Sequence, residues 1–199
     1  MKLLIATPCL NNSLDSRMVG SVLNVILEGV KRGDEVVWDR PSSAILSYNR
    51  NVSMDKAIKE NFDWFLYWDA DIEVSSVDFV YGMIDTSFKY QAAIVGLPVR
   101  LKGSDKYNFA FKDEKYINGI TLPPEPALVD VIGTGVMLLD VSMVRDIPKP
   151  WFTFTDTYND KPGFWPEDWN FCEKATQIGR KVYVDPRYET IHWGTYGYR

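Results

Sequence analysis

The sequence has a single histidine, His192, and only two cysteines, Cys9 and Cys172, far apart in the chain. That supply supports neither a disulfide framework nor a zinc site, so a reduced, cytoplasmic protein is expected. Long apolar runs are missing too. The longest, such as Trp64–Trp68 and Val136–Leu139, are strand-sized, well short of the ~20 residues of a membrane helix. At the start, Lys2 leads into four apolar residues and then Thr7-Pro8, which is not the pattern of a signal peptide. Neither G-x-x-x-x-G-K nor G-x-G-x-x-G occurs, which weighs against P-loop and dinucleotide enzymes. Positive charge is in deficit, 22 Lys+Arg against 27 Asp+Glu for a net −5, so nucleic acid is not an expected partner. There is no internal repeat and no low-complexity tract.

What remains is ordinary globular composition, 46% hydrophobic and 25% charged over 199 residues, and one domain is expected. The first half alternates strand and helix signals. Lys2–Ala6 reads as a strand and Thr7–Asn12 as a turn. Ser16–Arg32 reads as a helix capped by Asp15 and stopped by Gly33, with Val19, Val22, Leu23, Ile26 and Val30 at helical spacing. Glu35–Trp38 is a second strand and Ser43–Glu60 a second helix. Trp64–Trp68 is a strand apolar on both faces, as in a parallel sheet, followed by a helix over 77–90 and a strand over 92–97. The second half is mixed. Residues 100–125 read as a loop or hairpin excursion, and 129–140 as a strand broken by Gly133-Thr134-Gly135. A short helix begins at Val141, Pro150–Pro166 is an aromatic loop, Glu167–Ile178 a helix, and Lys181–Val184 a last strand. The expected fold class is α/β, with a mostly parallel central sheet flanked by helices and a smaller antiparallel part in the second half.

Four groups of residues could carry chemistry. Asp69-Ala70-Asp71 closes a buried strand, the place where open α/β sheets bind ligands. Two carboxylates in an extended segment point the same way and suit a hard divalent cation completed by substrate phosphates; the alternative is a solvated turn. His192, ahead of two glycines, reads as a loop residue, either a packing histidine or a ligand that favours manganese-like ions. Glu167-Asp168 opens a helix after an aromatic stretch containing Trp165, either as capping carboxylates or as a general base. Gly133-Thr134-Gly135 either admits a ligand close to the backbone or marks a bulge.

The order of these features resembles the GT-A family of nucleotide-sugar-dependent glycosyltransferases. A strand ends in Thr7-Pro8, Arg50-Asn51 lies in the second helix, and Asp-x-Asp ends a strand. Gly-Thr-Gly-x-x-Leu-Leu, Glu-Asp-Trp at a helix start and a late His-x-Gly come after them. Only about residues 100–126 lack a counterpart, and the compact length is similar to transferase domains of large DNA viruses and phages, which implies a host cytoplasm.

The resemblance implies a Rossmann-like GT-A domain over 1–199, its nucleotide-sugar-binding half at 1–99 and its acceptor-binding half at 100–199. It implies that Thr7, Pro8 and Cys9 line the base and ribose, with Arg50 and Asn51 near them or the diphosphate. Asp69 meets the ribose or the metal beside Ala70, and Asp71 with His192 binds manganese or magnesium. Gly133, Thr134, Gly135 and Trp165 border the sugar and acceptor, and Asp168 is the catalytic base with Glu167 as fallback. The implied reaction moves one sugar from a UDP-sugar to a glycan or other hydroxyl, with inversion. Gln177-Ile178-Gly179-Arg180-Lys181 departs from the Q-x-x-R-W signature of processive synthases, so a single transfer per encounter is expected. A sugar-1-phosphate nucleotidyltransferase and a sugar-binding module with a degenerate site are the competing readings. The first is disfavoured because Thr7–Asn12 contains no glycine.

Overall fold

The structure is a computed structural model that describes residues 1–111, 117–158, 161–194 and 197–198. Seven strands form the central sheet: β1 Lys2–Ala6, β2 Glu35–Asp39, β3 Trp64–Trp68, β5 Ala92–Gly96, β8 Ala127–Val129, β10 Val136–Asp140 and β13 Lys181–Val184. Their order across the sheet is β2-β1-β3-β10-β5-β13-β8. The β1/β2, β1/β3 and β5/β13 pairs are parallel. β10 enters antiparallel between β3 and β5, and β8 closes the far edge antiparallel to β13. The sheet is thus mostly parallel, and residues on either side of position 99 both contribute strands to it.

Alternation explains why β3 is apolar throughout. Phe65 and Tyr67 join the core on one face of the sheet, and Trp64, Leu66 and Trp68 join the core on the other. Helix α1, Ser16–Arg32, begins where the Asp15 carboxylate accepts the Arg17 backbone N–H and stops at Gly33, whose φ of 78° suits glycine. Helix α2, Leu46–Lys59, starts later than its sequence pattern suggests. Ser43 instead makes a turn, its hydroxyl accepting the Ile45 N–H. Helices α3, Phe79–Tyr90, and α5, Glu167–Gln177, come later in the chain, with the short α4 at Val141–Val144 between them. Both cysteines are buried free thiols. Among the described residues no helix is long and apolar enough to cross a membrane.

Two segments differ from their sequence patterns, and the 100–125 excursion takes the paired-strand form of its two alternatives. The aromatic stretch 150–166 contains a hairpin, β11 Thr155–Tyr158 with β12 Lys161–Trp165, rather than a loop. The 100–125 excursion contains β6 Phe109–Phe111, which pairs with β7 Ile117–Asn118 and with β9 Val131–Ile132; its residues 112–116 lie outside the described residues. His192 is not in a loop. It belongs to β14 Thr190–Trp193, which pairs antiparallel with β4 Ile72–Val74 and with β15 Gly197–Tyr198, while residues 195 and 196 of the expected loop lie outside the described residues.

Candidate active site

Two antiparallel pairings assemble the site at the carboxyl end of β3. Because β10 runs opposite to β3, its start meets the end of β3, and the Asp69 N–H donates to the Gly135 carbonyl at 2.9 Å. Gly133–Gly135 therefore lies directly against Asp69–Asp71. The approach is close: a Cβ on Gly135 would come within 2.8 Å of Ile72 Cδ1 and 3.0 Å of Val99 Cγ2, so any larger residue would have to push those side chains aside. Because β14 pairs with β4, His192 sits opposite Ile72, one residue from Asp71, and the Trp193 N–H donates to the Asp71 carbonyl at 2.8 Å.

Asp69–Asp71 is a turn rather than an extended run, with the Ile72 N–H donating back to the Asp69 carbonyl. The two carboxylates consequently acquire different partners. Asp69 Oδ1 lies 3.5 Å from Arg50 Nη2. Asp71 Oδ2 lies 3.5 Å from His192 Nε2 and 2.5 Å from Lys102 Nζ. Burial opposes ionisation of Asp71, but His192 and Lys102 outweigh it and hold the carboxyl below its usual range. Asp69, Ala70, Asp71 and His192 share one cleft of about 580 Å³ with Pro8, Ser13, Leu14, Asp15 and Leu46. Asp15 is fixed there by Arg17, which pairs with its carboxylate and stacks 3.3 Å above the Trp193 ring.

The Asp71–His192 pair fits a divalent cation. His192 Nδ1 is 2.9 Å from the Arg100 carbonyl. That oxygen only accepts, so Nδ1 carries the hydrogen, and Nε2, which faces Asp71, is the ring nitrogen available to a cation, the arrangement usual for a ligating histidine. Donors 3.5 Å apart can each reach one ion at about 2.1 Å. No three His, Cys, Asp or Glu side chains converge among the described residues. Such a site would therefore keep positions for phosphate oxygens and water, as magnesium-type sites do.

Behind this open rim lies a buried cluster. Arg50, 3% exposed, pairs through Nη1 with Oε1 of Glu167, also 3% exposed, while its other terminal nitrogen faces Asp69. Asp168 Oδ2 accepts the Thr134 N–H at 3.3 Å and Asp168 Oδ1 its neighbour's, Trp169, at 2.8 Å, which ties the start of α5 to the glycine-flanked turn. Burial pushes the Asp168 carboxyl above its usual range, against the pull of Arg50. The Thr134 hydroxyl and Arg50 Nε are buried with no hydrogen-bond partner among the described residues.

Other expected site residues lie away from the cleft. Thr7 and Cys9 face inward, Thr7 Oγ1 accepting from the Trp38 indole at 3.0 Å, and of Thr7, Pro8 and Cys9 only Pro8 borders the cleft. Asn51 is committed to the chain at 151–152: its Oδ1 accepts both backbone N–H groups and its Nδ2 donates to the Phe152 carbonyl. Trp165 donates its indole N–H to Glu173 and stands edge-on to Trp169. Sequence reasoning missed Lys102, which lies in a stretch without periodicity, and saw Asp15 only as a helix cap.

No protein-family model matches the chain, and no curated protein matches it. Solved structures do resemble it. A197 from STIV covers 98% of this chain and 86% of its own, with TM-score 0.69 and 17% identity. A mutant Drosophila β-1,4-galactosyltransferase 7, in complex with manganese, UDP-Gal and xylobiose, covers 94% and 65%, with TM-score 0.51 and 11% identity. The fold is of the GT-A glycosyltransferase type. UDP-glucose pyrophosphorylase from Acinetobacter baumanii shares the architecture too, covering 96% and 88% with TM-score 0.53 and 11% identity. At such identities the GT-A likeness concerns the fold alone, and the chemistry has to be argued from the site.

Proposed function

We propose that the protein is a metal-dependent glycosyltransferase that moves one sugar from a nucleoside-diphosphate sugar, with a UDP-sugar as first choice, to an acceptor hydroxyl with inversion. One observation carries this reading: Asp71 and His192 present facing donor atoms, beside Asp69, in a cleft at the carboxyl end of β3. Manganese or magnesium held there would neutralise charge on the departing diphosphate.

The protein's own groups supply the rest. Asp168, oriented by the Thr134 and Trp169 N–H groups, takes the proton of the acceptor hydroxyl as that oxygen attacks the anomeric carbon. Attack comes from the face opposite the diphosphate, and the bond from the sugar to the diphosphate oxygen breaks with its electron pair. A carboxyl raised by burial is better matched to this task than an ordinary one. Glu167 is committed to Arg50, so the base falls to Asp168. The unpartnered Thr134 hydroxyl is a candidate to bond an incoming sugar hydroxyl.

Calorimetry with UDP tests the reading. UDP should bind in the presence of manganese and lose that dependence in Asp71→Asn. Metal-independent or absent UDP binding overturns it, and is also what a degenerate sugar-binding module would give. The fold shared with a pyrophosphorylase makes the released product decisive as well. Transfer yields a nucleoside diphosphate, whereas nucleotidyl transfer yields pyrophosphate.

A further inference from the structure

The stretch from Arg100 to Tyr107 brings to the cleft a positive charge that the proposed transfer reaction does not use, and any role for that charge rests on the transferase reading. Lys102 Nζ contacts Asp71 Oδ2 at 2.5 Å, the same oxygen that faces His192 Nε2. The ammonium therefore competes for an oxygen that a cation shared by Asp71 and His192 has to use. The backbone bearing it is held firmly. The Arg100 carbonyl anchors His192, Leu101 N–H donates to Lys106 O at 2.8 Å, Ser104 N–H donates to Leu101 O at 3.1 Å, and Arg100 bridges to Tyr107. By contrast, the Lys102 and Asp71 side chains are each 40% exposed. A fixed loop thus carries a long, solvated side chain that can change partners without the backbone moving.

We propose that Lys102 is the resident counter-ion of the Asp71–His192 site. It neutralises Asp71 until a divalent cation displaces it, and then pairs with the diphosphate of the donor. An exposed ion pair contributes little, so displacement is inexpensive. The displaced ammonium gains a stronger partner only when a phosphate is present. Metal and donor therefore bind more tightly together than either does alone, with Lys102 as part of the coupling.

Calorimetry on the full chain tests this with manganese alone and with UDP at saturating manganese, using wild type, Lys102→Met and Lys102→Arg. In Lys102→Met, manganese alone should bind about threefold to fivefold more tightly, and UDP about fivefold more weakly. Lys102→Arg should keep both affinities near wild type. Opposite signs for the two ligands are the signature, since a merely structural lysine would move both the same way or neither. Unchanged or weaker manganese binding in Lys102→Met, or unchanged UDP binding, overturns the inference. If wild type itself shows no manganese-dependent UDP binding, the transferase reading fails and takes this one with it. If wild type shows it and Lys102→Met behaves identically, this inference alone fails.

Discussion

The rim of the cleft and the buried cluster behind it treat charge in opposite ways. On the rim, Asp69, Asp71 and Lys102 have side chains 34%, 40% and 40% exposed, and each carboxylate meets a cation at the edge of solvent. Behind it, Arg50 and Glu167 form a pair with side chains 4% exposed, joined to the Thr134–Asp168 contact. Exposed pairs contribute about 0–1 kcal/mol and exchange readily. Breaking a buried pair costs about 3–5 kcal/mol, because one charge is stranded. The rim is therefore suited to taking up and releasing charged ligands, and the buried side to holding groups still. Arg50, the second-helix arginine, joins the two, pairing with Glu167 and facing Asp69.

The largest effect that would test this division is on turnover. Asp168→Asn should reduce sugar transfer by about 10²–10⁴-fold while leaving manganese-dependent UDP binding in place, measured by single-turnover assay and calorimetry on the same preparation. Asp71→Asn should do the reverse, losing UDP binding first. If both variants lose binding equally, the rim and the buried cluster do not have separate tasks.

The next effect is on stability. Arg50→Met leaves Glu167 as an uncompensated buried carboxylate and should cost about 3–5 kcal/mol in chemical denaturation. Adding Glu167→Leu should recover most of that loss, because the isolated charge is then gone. A cost under about 1 kcal/mol for Arg50→Met would place the pair with the rim instead. Asn51→Ala should cost about 1–3 kcal/mol, since it strips the partners from the Trp151 and Phe152 N–H groups. UDP affinity should not change, because the Asn51 side chain is bonded to the backbone at 151–152 and does not border the cleft.

The rim and the buried cluster also differed in how far the sequence revealed them. Helix α1 was visible because its cap, its periodicity and its stop are local, and β3 because a strand covered on both faces is apolar throughout. Asp69, Asp71, Glu167 and Asp168 could be picked out by where their elements end. Their grouping could not, because it depends on β10 inserting antiparallel between β3 and β5 and on β14 pairing with β4. Strand pairing over such separations leaves no local pattern. Thr7, Cys9 and Asn51 are the reverse case. Their positions matched a motif, yet the structure uses their side chains for packing and fastening. Lys102 had no signal at all, since an exposed lysine in an irregular stretch looks like any other.

The smallest effect is a tilt with pH that distinguishes the buried side from the rim. Burial raises the folded-state pKa of Asp168 above its unfolded value. Above that folded pKa the ionised carboxylate is destabilising. The penalty fades as pH falls through the folded pKa and is gone below the unfolded one. Asp168→Asn removes the charge at every pH. Its melting temperature relative to wild type should therefore be most favourable near neutrality and decline as the solution is acidified. Asp71 runs the other way, because its folded pKa is lowered. Its stabilisation is present above the unfolded pKa and is lost as pH falls through the folded one, so the disadvantage of Asp71→Asn should shrink only at stronger acidity. Melting curves of the three proteins across that range read both slopes. Parallel curves for Asp168→Asn and wild type would mean that the carboxylate at the head of α5 is as well solvated as those on the rim.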